Sequence, residues 1–74
     1  MTPEQFHELD EQEQAEVIWD GKYIADREDE KHMVLLYKID NELFVEVYVH
    51  KQQQVIKKFV PIANDELLDI YTYK

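Results

Sequence analysis

Met33 to His50, MVLLYKIDNELFVEVYVH, consists of two apolar runs interrupted only by Asp40-Asn41-Glu42. β-branched and aromatic residues dominate both runs, and the interruption is built from residues that accept turn geometry, so the stretch predicts a β-hairpin over His32 to Ile39 and Leu43 to His50. Both arms are apolar on both faces. A hairpin with one dry and one wet side would alternate instead. The rest of the chain has to be read as the means of covering this doubled apolar surface.

Working outward, Lys22 to Arg27 has the two-residue period of a further strand, followed by a turn at Glu28-Asp29-Glu30-Lys31. A fourth strand is expected over about residues 54 to 60, with Pro61 ending the ladder. Short connections make each neighbour antiparallel, which gives a meander. Asn64-Asp65-Glu66 then opens a short C-terminal helix on Leu67, Leu68, Ile70 and Tyr71. Before the sheet, Thr2-Pro3-Glu4-Gln5 is a helix start with a capping box. A continuous helix to Trp19 would place Phe6, Leu9 and Val17 opposite Ala15, Ile18 and Trp19. Asp10 and Glu13 form a second capping signature, so the expectation is a break at Leu9-Asp10, a second helix over Glu11 to Trp19, and an end at Asp20-Gly21 with the glycine left-handed. The fold class is α+β: an N-terminal helical segment, a four-stranded antiparallel meander and a short C-terminal helix in a single domain, residues 1–74.

If Asp40-Asn41 is a two-residue turn, the register puts Tyr23, Ala25, Val34, Leu36, Leu43, Val45, Val47, Val49, Ile56 and Val60 on one face, under the helices. The other face then carries Ile24, Met33, Leu35, Tyr37, Ile39, Phe44, Glu46, Tyr48, Val55, Lys57 and Phe59. Two short terminal segments do not cover both. The expected interface is therefore Leu35, Tyr37, Ile39, Phe44, Glu46, Tyr48 and Phe59, paired with a second copy in a homodimer. Such a dimer would also stabilise a 74-residue chain without cysteine, whose core barely offsets chain entropy.

The net charge of −9 is uneven. Residues 1–30 hold eleven Asp and Glu against Lys22 and Arg27, whereas residues 31–74 hold six acids and six lysines. That balance opposes binding to phosphate backbones and anionic lipid, so neither nucleic acid nor a membrane surface is expected, and a basic protein partner would be steered in. No apolar run approaches the ~20 residues of a membrane span, and no signal sequence is recognisable. Together with the absence of cysteine this places the expected setting in the cytoplasm.

Chemistry-bearing motifs are sparse. Glu46, between Phe44, Val45, Val47 and Tyr48, is the one candidate acid or base, and its structural role would be a pair with Lys57 or Lys58 across the strand. The alternative to an interaction module is a small ligand-binding protein or enzyme with a pocket between sheet and helices lined by Glu46 and Tyr48. His32 and His50 would face each other if the hairpin loop has three residues, but two histidines do not close a metal site. Asp26, Glu28, Asp29 and Glu30 lack calcium-loop spacing. Aromatic residues Tyr37, Phe44, Tyr48 and Phe59 lack the basic rim of a base-stacking surface. No catalytic residue, metal or cofactor is assigned.

Gln5-Phe6-x-x-Leu9, Val17-x-Trp19-x-Gly21 and Phe44-Val45-Glu46-Val47-Tyr48 together resemble a group of short uncharacterised bacterial proteins. The resemblance implies a small α+β domain in a bacterial cytoplasm and carries no activity with it.

Overall fold

The computed structural model describes residues 1–64 and Glu66. Helices α1 (Pro3–Glu8) and α2 (Glu11–Trp19) precede strands β1 (Lys22–Glu28), β2 (His32–Lys38), β3 (Leu43–His50) and β4 (Ile56–Ala63). The sheet is open and antiparallel in the order β1-β2-β3-β4. The fold is α+β. Most of the expected C-terminal helix lies outside the described residues.

The helix break forms as its capping residues require. Thr2 Oγ1 accepts the Gln5 N–H at 3.2 Å while Gln5 Oε1 accepts the Thr2 N–H at 2.9 Å. Asp10 and Glu13 repeat the exchange at 2.8 and 3.1 Å. Between the helices, the Phe6 carbonyl accepts both the Leu9 N–H and the Gln14 side-chain amide, which fixes the corner. Phe6 and Ile18, which a straight helix would hold apart, thereby enter one core with Leu43, Val45 and Val47. Trp19 does not follow Ile18 inward: it is 85% exposed.

Gly21 is not left-handed. Its reason is space: a Cβ there would lie 2.8 Å from Ile39 Cδ1, 3.0 Å from the Lys38 carbonyl and 3.1 Å from the Ile18 carbonyl. The chain can pass from α2 into β1 against β2 only where no side chain intervenes.

The hairpin register differs from the two-residue-turn expectation by one position. Asp40 Oδ1 accepts the N–H groups of Glu42 and Leu43, both at 2.9 Å, and Ile39 N–H bonds to the Leu43 carbonyl. The loop is thus Asp40-Asn41-Glu42, and Leu35 stands opposite Val47, Leu36 opposite Glu46 and Tyr37 opposite Val45. A one-residue slip exchanges faces along the whole strand. The helix-side face therefore holds Leu35, Tyr37, Ile39, Leu43, Val45, Val47, Val49 and Phe59. The opposite face gathers Leu36, Phe44, Val60 and Ile62, with Glu46 in register with Leu36 and Val60.

Strand β4 also departs from expectation, running through Pro61, which stands opposite Val45. Proline is tolerated there because β4 is an edge strand, where alternate N–H groups point away from the sheet. The other edge, β1, carries an irregularity between Tyr23 and Ala25. Bulges and prolines on edges discourage pairing with another sheet.

Candidate functional site

The seven residues expected to share an interface fall on two faces. Leu35, Tyr37, Ile39 and Phe59 lie beneath or beside the helices. Phe44, Glu46 and Tyr48 lie on the other side, where Phe44 and Glu46 are only 7% and 2% exposed. Among the described residues, Leu36, Val60 and Ile62 pack with Phe44, whereas the three-residue loop sends Leu35 and Tyr37 to the helix side.

Glu46 is paired two strands away, not with the β4 lysines. Arg27 reaches from β1 and donates from Nε and Nη2 to Glu46 Oε2 at 3.2 and 3.1 Å, and from Nη2 to the Tyr48 hydroxyl at 3.0 Å. Lys58 instead sits 4.7 Å above the Tyr48 ring. A buried carboxylate needs such a partner, since an isolated charge in this setting would be strongly disfavoured. Neither Glu46 nor Tyr48 lines the cleft between sheet and helices.

The three-residue loop does bring His32 opposite His50, with ring centroids 5.6 Å apart. His50 Nδ1 accepts the Gln53 N–H at 3.1 Å, and His32 Nδ1 is 3.5 Å from Asp29. Among the described residues, no cluster of three or more potential metal ligands forms. The acidic turn is divided among structural tasks. Asp26 accepts the Tyr23 hydroxyl, Glu28 pairs with Lys51 at 2.7 Å, and Asp29 Oδ1 accepts the N–H groups of Lys31 and His32 at 2.8 and 2.6 Å. The two backbone N–H donors hold the Asp29 carboxyl below its ordinary value.

What remains is a cleft of about 230 Å³ between α2 and the sheet, lined by Ala15, Ile18 and Trp19 from α2 and by Leu35, Tyr37, Val47, Val49, Ile56 and Phe59 from the sheet. Its lining holds no ionisable carboxylate, imidazole or amine, so it suits apolar contact rather than proton transfer. The sequence groups Trp19 with Ala15 and Ile18 on one side of the helix, but adjacent helical positions lie about 100° apart, and Trp19 stands exposed beside the buried Ile18.

Compared with protein-family models, curated proteins and solved structures, the chain matches none of them. Among the described residues, no helix is long and apolar enough to cross a membrane.

Proposed function

We propose that this chain is a non-catalytic protein-interaction module whose binding surface is the cleft between α2 and the sheet. The observation that carries the reading is Trp19, a large aromatic residue 85% exposed at the edge of an apolar groove. Exposed aromatic anchors next to apolar pockets are where binding free energy concentrates at interfaces. Leu35, Tyr37 and Phe59, three of the residues expected at an interface, belong to this groove; Phe44 and Glu46 do not.

Self-association through the same groove is a second reading, favoured by Trp19 and the groove adjoining one another: two copies related by a two-fold axis can exchange tryptophans. The test for binding at the groove is site-specific photocrosslinking in the source cell, with p-benzoylphenylalanine in place of Ile56 and, as control, of Glu30. Discrete adducts from position 56 and none from position 30 are expected. Equal adducts at both, or none at 56, would refute the reading. An adduct of twice the chain mass identifies the homodimer.

A further inference from the structure

The turn joining β3 to β4, residues 51–55, is tied to His50 through its backbone and its ring together. The His50 N–H donates to the Val55 carbonyl at 2.9 Å, the His50 carbonyl accepts the Gln54 N–H at 2.7 Å, and the side-chain Nδ1 accepts the Gln53 N–H at 3.1 Å. The ring contact is conditional. A ring nitrogen accepts a hydrogen bond only through a lone pair, so this contact requires a neutral imidazole with its proton on Nε2. An imidazolium donates from both nitrogens, and no rotation of the ring restores an acceptor. Gln54 is where the loss would be felt. It has a φ of 56°, a left-handed conformation that a residue with a side chain keeps only when surrounding contacts over-determine it. The hydrogen bonds from Gln53 and Gln54 to His50 are such contacts.

His32 faces His50 from β2 with ring centroids 5.6 Å apart. The Tyr48 ring lies 5.7 Å from His32, with Lys58 of β4 4.7 Å from the Tyr48 centroid. From the β1–β2 turn, Asp29 comes within 3.5 Å of His32 Nδ1, and Glu30 and Lys31 border the same hollow as His50, Lys51, Gln52 and Gln53. Lys51 reaches Glu28 of β1 at 2.7 Å, and its backbone N–H donates to the Lys31 carbonyl at 2.9 Å. Asp29 thus supplies a counter-charge for a proton on His32, and Glu28 one for Lys51; His50 enters neither pair. A proton on His50 meets Lys31, Lys51 and Glu30 across the hollow. Whatever Glu30 returns in charge, the Gln53 N–H has lost its ring acceptor.

We infer that His50 is a proton-operated latch on the β3–β4 turn, closing it when neutral and releasing the Gln53–Gln54 peptide when protonated. The contact is complete while His50 is neutral and is lost in proportion as the ring takes up its proton. Val49 and Ile56 stand opposite each other at the base of this turn and also line the cleft beside α2, so the latch acts on one wall of that cleft. The inference stands apart from what the cleft binds.

Histidine nitrogen shifts and amide exchange, followed by NMR on the full chain from about pH 8 to about pH 5, span ordinary imidazole titration and test the latch. Neutral His50 is expected to carry its proton on Nε2. The protection of the Gln53 amide, corrected for intrinsic exchange, should fall roughly two- to tenfold in step with His50 protonation. The Gln54 Cα shift should leave its left-handed value over the same range. A neutral ring with its proton on Nδ1, or a Gln53 amide that does not follow His50, overturns the inference. His50→Asn is the conservative check, because its side-chain oxygen can take the same N–H without titrating. It should keep the Gln53 amide protected and remove the pH dependence. A pH dependence that survives His50→Asn overturns the inference, and so does one that vanishes in His32→Phe, which would assign the effect to repulsion between the two rings. If His50→Asn does not fold, the wild-type tautomer and the Gln53 titration decide.

Discussion

Replacing Arg27 with methionine tests whether Glu46 is a structural charge. Glu46 is 2% exposed, and the guanidinium places two N–H groups on one of its carboxylate oxygens. Removing one partner of a fully buried ion pair costs about 3–5 kcal/mol, because the remaining buried charge loses its counter-charge. The Arg27 side chain is 40% exposed, however, so water can approach from its side and the pair is partly screened. A cost of about 2–3 kcal/mol is the reasonable expectation after that discount. For a domain of this size 1 kcal/mol shifts Tm by about 4–8 °C, so Arg27→Met should lower it by roughly 10–20 °C.

The informative comparison is the double variant Arg27→Met with Glu46→Leu. It removes both charges, and should recover most of the loss, since apolar replacement of a buried pair is commonly near neutral. Urea unfolding of the wild type, both single variants and the double variant gives the coupling directly. Additive single losses, or an Arg27→Met cost below about 0.5 kcal/mol, would show that the pair is not what keeps Glu46 buried.

Asp10→Ala should cost about 0.5–2 kcal/mol in urea unfolding, since it removes the Glu13 N–H acceptor of the α2 capping box; an unchanged midpoint would deny the cap its role. Gly21→Ala should destabilise by about 1–3 kcal/mol, because the added Cβ meets two carbonyl oxygens that cannot rotate aside, and a neutral result would mean that the Ile39 side chain and backbone give way freely. The Asp29 carboxyl titrates below its ordinary value, so its folded pKa lies below the unfolded one and its contribution is fully present above the unfolded value, near 4. Wild-type stability should therefore fall relative to Asp29→Ala as pH drops from about 4 through the lower folded value; parallel urea midpoints from pH 6 to 2 would remove the claim. The Tyr23 phenol, donating to Asp26, titrates above its ordinary value, and Asp26→Asn should bring its ultraviolet titration back down.

Local chemistry alone was enough to place the helix break and the first three strands. Thr2 with Gln5 and Asp10 with Glu13 are reciprocal caps within three residues of one another, and their geometry depends on nothing distant. Strand β3, Leu43–His50, was equally legible because its composition admits no other element. The faces were not legible. With apolar residues on both sides of β2 and β3, a two-residue and a three-residue loop bury similar hydrophobic surface, and pattern cannot choose between them. In the three-residue loop the Asp40 carboxylate takes the N–H groups of Glu42 and Leu43, which a residue-by-residue apolar pattern does not register. With the loop at three residues, Leu35 and Tyr37 lie on the helix side, Glu46 is on the far side within reach of Arg27, and His32 stands opposite His50. The passage of β4 through Pro61 was likewise decided by the strand's place at the sheet edge, a property of strand order rather than of any residue in it. The exposed Trp19 groove follows from both levels: the caps set how short α2 is, and the register decides which apolar residues it fails to cover.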